Sequence, residues 1–160
     1  MKTIIVSQFI FLMSSFVLYC AELISEFSGK FTENEIIMSD KSKVSTFMTE
    51  GTFKNNIGRY GSFVCLGFIE KMKNGQVNNL LNICESTDQY GNKIWSRGKR
   101  SKSNIKAGVG RSYIVDSTNK NRELLIGTEC KYAVNYVRNL SFAKSICKIS
   151  KENFERLKND

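Results

Sequence analysis

Histidine and proline are both absent from this 160-residue chain. Without an imidazole there is no Ser-His-Asp or Cys-His nucleophile activation, no His-based metal site and no default general base near neutral pH. Without proline, no native prolyl cis bond slows folding. No two cysteines stand two to four residues apart, so the spacing of a thiolate zinc site is missing. No tract is charge-dominated or of low complexity, so composition gives no disordered segment. No second apolar stretch follows Leu18, and the sequence thus implies a soluble mature part.

What is present begins with a leader. Met1-Lys2 supplies a positive start, Thr3 to Leu18 an apolar run, and Cys20 and Ala21 small residues after it. That order predicts a secretory signal peptide over residues 1–21, cleaved after Cys20 or Ala21. A transmembrane anchor is the alternative, because the run approaches the lower limit for spanning a bilayer. Bulky Tyr19 argues against lipidation at Cys20. The remainder is about one domain's worth of chain. Its hydrophobic fraction, 41% over the whole sequence, can build a real core, so disulfides would reinforce the fold rather than replace a core. The net charge of +9 favours anionic partners. The abundance of Lys, Asn, Ile and Phe equally fits drift in an AT-rich coding sequence.

After residues 22–42, a partly irregular N-terminal segment, short β patterns alternate with Gly, Asn, Asp and Lys turns. The predicted strands are Val44–Phe53, Gly61–Lys71, Gln76–Ser86, Lys93–Arg100, Gly108–Asp116, Glu123–Thr128, Glu129–Val137 and Phe142–Ile149, with an additional segment at Glu35–Met38. Strands at this spacing predict an all-β fold over 43–150, an antiparallel up-and-down β-barrel of about eight strands. The tail, 151–160, carries a short helix over Lys151–Leu157 capped by Ser150, with Phe154 and Leu157 packed on the barrel.

Four cysteines follow the leader. Pairing strands symmetrically about Asn74-Gly75, a type I′ hairpin signal, sets Cys65 opposite Cys84, with Leu66–Ile83 and Phe68–Leu81 forming an apolar face. Pairing about Arg138-Asn139 sets Cys130 opposite Cys147 and Glu129 opposite Lys148. The predicted disulfides are therefore Cys65–Cys84 and Cys130–Cys147. The second falls on a non-hydrogen-bonded position. The first falls on a hydrogen-bonded one, which suits a disulfide less well unless a bulge or a three-residue loop shifts the register.

Other motifs carry weaker chemistry. Arg97, Lys99, Arg100, Lys102 and Lys106 form a basic segment without an acid. It is a candidate site for an anionic partner, or a solvated strand end. Nucleic acid is a poor partner, since no aromatic residues interleave the basic ones. Gly108-Val109-Gly110 lacks the third glycine of a dinucleotide loop and reads as a bend in a strand. Glu70, Glu85, Asp88, Asp116 and Glu129 read as surface charges, none paired with another. Tyr132, Val134 and Tyr136 form one face of a strand, either core or the lining of a ligand cavity.

Gly51-Thr52-Phe53, Gly58, Tyr60-Gly61, Gly67, Gly108-x-Gly110 and Leu124-Leu125-Ile126-Gly127 together resemble the glycine-marked strands of allene oxide cyclase-like and dirigent-like β-barrels. They are also similar to small uncharacterised secreted alphaproteobacterial proteins with a G-T-x-x-x-x-x-G-x-Y-G…C motif. The resemblance implies an eight-stranded barrel with an apolar interior. It carries no catalytic residue across. The resulting expectation is an exported monomer in the periplasm or outside the cell. It needs no cofactor or metal, and it binds a small apolar ligand or an anionic partner. A cyclase or isomerase acting in an apolar pocket, and an inhibitor of a secreted hydrolase, are the alternatives.

Overall fold

The computed structural model describes residues 20–103 and 107–160. Eight antiparallel strands close into one up-and-down barrel in sequence order: β1 Cys20–Ile37, β2 Lys43–Asn55, β3 Tyr60–Lys71, β4 Val77–Asp88, β5 Lys93–Ser103, β6 Ala107–Ser117, β7 Glu129–Val137 and β8 Leu140–Ser150. β8 returns to β1, from Cys20↔Ser150 to Lys30↔Leu140, which closes the barrel.

Two memberships differ from the sequence expectation. The segment expected to be partly irregular, 22–42, contains most of β1, whose end, Glu35 to Ile37, covers all but Met38 of the additional segment. Conversely, the segment expected as a strand over Glu123–Thr128 is a 3-10 helix, Lys120–Leu125. Asn119 caps this helix, its Oδ1 accepting from the Asn121 amide at 2.8 Å. Of its apolar run only Leu125 reaches full burial. The C-terminal helix α1, Lys151–Lys158, is capped as expected by Ser150, which accepts from the Asn153 amide at 3.1 Å. Leu157 is buried and Phe154 packs on the same cluster.

Both disulfides are present. Cys130↔Cys147 and Cys65↔Cys84 are directly opposed pairs, with Cα atoms 4.1 and 4.0 Å apart. Those separations belong to non-hydrogen-bonded pairs. The β3–β4 hairpin reaches this geometry by two compensating departures from a type I′ turn. Its loop has three residues, with the Met72 amide donating to the Gln76 carbonyl and the Gly75 amide to Met72. Only Gly75, at φ +81, takes the left-handed conformation. A bulge beside Glu70 then returns the register by one residue, which keeps Cys65 opposite Cys84 but changes the kind of pair.

The Leu66–Ile83 and Phe68–Leu81 pairs form as expected, but on the outside of the barrel: Leu66 is 54% and Ile83 44% exposed. The inner face of the hairpin carries Phe63, Cys65 and Ile69 instead. Glu129 pairs with β6 rather than with Lys148, accepting from the Tyr113 hydroxyl at 2.6 Å and lying 3.4 Å from Arg111.

The 3-10 helix and α1 close one end of the barrel. Beneath them Leu23, Ile114, Leu125, Cys130, Cys147, Ile149 and Leu157 form one core cluster. Phe47, Ile69, Val77 and Leu80 form another toward the opposite end. A charged network pins the closed end. Buried Arg122 pairs with buried Asp88, and the Asp160 carboxylate accepts from Asn119 at 3.0 Å and Asn121 at 2.6 Å while lying 3.6 Å from Arg122. Asp88 is thus a buried structural ion rather than a surface charge.

Candidate ligand-binding site

An eight-stranded barrel is just wide enough either to be filled by side chains or to hold one small ligand. Between the two core clusters this interior is hollow, with a chamber of about 140 Å³. A second hollow of about 100 Å³ lies toward the closed end. The larger chamber has an aromatic wall. Phe27 and Phe63 meet edge to face at 5.2 Å, and Phe31 packs on Phe47 at 5.6 Å and on Tyr136 at 4.9 Å. The face formed by Tyr132, Val134 and Tyr136 lines the chamber, as does the Cys65–Cys84 bridge. Serine and threonine hydroxyls make up most of the remaining wall. No Asp, Glu or Lys lines it among the described residues.

One charged residue does. The basic segment lies on β5, whose side chains alternate in and out. Arg97 and Lys99 point to solvent, whereas Gly98 and Arg100 are buried. Lys102 falls at the far end of β5, and Lys106 lies outside the described residues. Arg97 and Lys99 therefore lie on the opposite face of β5 from Arg100. Arg100 is 2% exposed, and none of Nε, Nη1 and Nη2 has a hydrogen-bond partner. The amide oxygen of Asn82, in the same chamber, is also buried without a partner.

The glycines of β6 make room for this arrangement. Gly108 faces the Arg100 side chain, and Gly110 faces the Tyr132 ring. Gly108-Val109-Gly110 is therefore neither a nucleotide loop nor only a bend, because each glycine seats an inward side chain from a neighbouring strand. Burial drives the Tyr132 phenol up to about 12, with the Arg100 charge pulling the other way, and burial raises Tyr136 as well. Both phenols stay protonated at neutral pH and remain available as donors.

Outside the wall, a groove of about 700 Å³ runs over β5 to β8. Lys99, Arg111, Lys131 and Lys144 line it, and so do Arg100 and Tyr132, which it shares with the chamber. The described β5–β6 ladder ends at Lys99↔Arg111, beside this shared point. Of the other acids expected on the surface, Glu85 pairs with Lys93 at 2.8 Å and accepts from the Trp95 indole at 3.0 Å.

The two disulfides point to an oxidising, extracellular compartment, and no helix among the described residues is long and apolar enough to cross a membrane. No family model matches the chain, and no curated protein matches it. Among solved structures, the chain is similar to a conserved protein of unknown function from the bacterium Rhodopseudomonas palustris. The TM-score is 0.64 at 8% identity, covering 82% of this chain and 99% of the other. The likeness lies in the barrel fold.

Proposed function

We propose that the protein is an exported binding barrel that holds one small molecule in its interior chamber. The observation that carries the reading is the hollow between the two core clusters. An interior of this width could be packed solid, yet it keeps about 140 Å³ open behind an aromatic wall. The lining supports binding over catalysis. It offers hydroxyls, an amide, two phenols held protonated and one guanidinium, and among the described residues it has no carboxylate or imidazole to move protons near neutral pH. Export follows from the apolar leader, residues 1–21, most of which lies outside the described residues, together with the disulfides. Cys20 and Ala21 pair with Ser150 and Ile149, so cleavage after either removes at most two rungs of a closed barrel.

The hollow interior is also what the cyclase or isomerase alternative requires, with Tyr132 as its desolvated group. A phenol raised to about 12 is a poor acid or base at neutral pH, so binding is the stronger reading. Native mass spectrometry of protein secreted by a heterologous host tests it. The reading expects a small-molecule adduct that survives gentle ionisation and is lost on denaturation. A bare polypeptide mass in every preparation contradicts it.

A further inference from the structure

This inference rests on the chamber being a small-molecule site and goes on to the charge and size of its occupant. We infer that the chamber takes a compact monocarboxylate with a planar apolar body, and that Arg100 holds the carboxylate.

The charge assignment comes from Arg100 itself. A guanidinium stays protonated at any physiological pH. Burying it without a partner is unfavourable, because it loses water and gains nothing in return. The side chain is nonetheless buried, lines the chamber and leaves all three nitrogens unpaired. Gly108 leaves the space in which it lies. Among the described residues, no acidic side chain of the chamber wall could neutralise it. Its parallel N–H donors match the two oxygens of a carboxylate. One unopposed positive charge in an otherwise neutral wall suits a monoanion better than a dianion.

The size and shape come from the rest of the wall. An apolar protein cavity of about 150 Å³ accepts benzene, and this chamber, at about 140 Å³, is of that size. Phe27, Phe47 and Phe63 present ring surface to a flat body. The protonated phenols of Tyr132 and Tyr136 add donors. The amide oxygen of Asn82 lies buried against Gly98 and is also without a partner. The outer groove lined by Lys99, Lys131 and Lys144 shares Arg100 with the chamber, so an anion approaching the wall meets positive charge first.

Calorimetric titration of the disulfide-bonded protein, emptied by unfolding and refolding, with benzoate, benzyl alcohol, benzylamine and inorganic phosphate tests this. Benzoate should bind one molecule per chain at least ~30-fold more tightly than benzyl alcohol, as expected for a buried charge pair. Benzylamine and phosphate should bind more weakly than either. At roughly ten times its Kd, benzoate should raise the unfolding midpoint by about 5 °C. Arg100→Met should lose the preference for benzoate, while its ligand-free form unfolds at a higher temperature than the parent. Arg100→Lys, which keeps the charge without the fork, should bind benzoate with intermediate affinity. Equal binding of benzoate and benzyl alcohol, or tighter binding of phosphate, would overturn the charge assignment and leave the chamber reading standing. So would a benzoate preference that survives in Arg100→Met. Failure of all four probes to bind would overturn both.

Discussion

Gly108 and Arg100 fit together across the wall between β5 and β6: a Cβ at position 108 would stand 2.6 Å from Nη1 of Arg100 and 2.8 Å from its Cδ. The glycine is there for room, since its backbone is not in the left-handed region that favours glycine. Its neighbour on the same face differs in what it would strike. A Cβ at Gly110 would stand 2.5 Å from the Tyr132 hydroxyl oxygen and 2.7 Å from the Lys99 carbonyl oxygen.

The two glycines should therefore respond differently to alanine. In Gly108→Ala the flexible end of Arg100 can swing aside, and the stability change should stay within about 1 kcal/mol. Binding of an anion in the chamber should weaken, because the guanidinium is displaced. In Gly110→Ala the backbone itself is in the way, and the loss should be about 1–3 kcal/mol. Urea denaturation of both variants measures the difference; equal losses would contradict the seating described here.

Each disulfide staples one hairpin, with sequence separations of 19 and 17 residues. Loop-closure entropy for spans of this length gives about 3 kcal/mol per bridge. Cys65→Ala/Cys84→Ala and Cys130→Ala/Cys147→Ala should each lose about that much. Only the first pair lines the chamber, so only its removal should let a ligand bulkier than benzoate gain affinity. Non-reducing peptide mapping should link Cys65 to Cys84 and Cys130 to Cys147. A Cys65–Cys130 peptide would contradict both hairpins.

Much of this geometry was legible in the sequence, and the misses have physical causes. The two cysteine pairs were readable because strand pairing is symmetric about a turn. The register of Cys65–Cys84 survived only because the three-residue loop and the bulge beside Glu70 cancel. β1 was obscured because its inner face carries Ser25, Gly29 and Glu33 among its apolar residues, which dilutes the period-2 signal. Leu124-Leu125-Ile126 looked like a strand, although Asn119 two residues before Asn121 is a capping signal for the 3-10 turn. Leu66, Phe68, Leu81 and Ile83 read as one apolar face, but the opposite face of that hairpin is apolar too, so the pattern alone does not tell inside from outside. Arg100 was found among the basic residues but not as an interior group. Counting inward from Ile94 by twos would have placed it inside.

Acid should unlock the closed end. Burial alone would raise the Asp88 carboxyl, but hydrogen bonds from Arg122 and from the Asn92 and Tyr90 amides more than offset it, and its pKa lies below the usual 3.8. A carboxyl depressed in the folded state stabilises the fold above its unfolded pKa. That contribution is lost as pH falls through the folded value. Urea midpoints should fall below about pH 4 on this account. Asp88→Asn should flatten part of that slope and cost about 3–5 kcal/mol at neutral pH, because it strips buried Arg122 of its nearest partner. An unchanged acid limb in the variant would contradict the assignment.

Alkali acts on the chamber. The Tyr132 phenol is raised from 10.0 to about 12. Its preference for the protonated form stabilises the fold below pH 10, and that contribution is lost as pH rises from 10 toward 12. Ultraviolet titration should show the Tyr132 phenol ionising only toward pH 12, as the barrel opens. Tyr132→Phe should delete that step; a Tyr132 that titrates near 10.0 would mean a wet chamber.

Arg100 stands buried in the barrel without a partner, poised to hold an anion. The Nε–Hε proton–nitrogen NMR signal of that side chain, assigned by its absence from Arg100→Met, reads this contact directly. With benzoate added, this signal should shift saturably and by more than that of any other arginine, with benzyl alcohol moving it little. An Arg100 signal that stays in place while benzoate binds, or one that exchanges with water as fast as exposed Arg97, would contradict it.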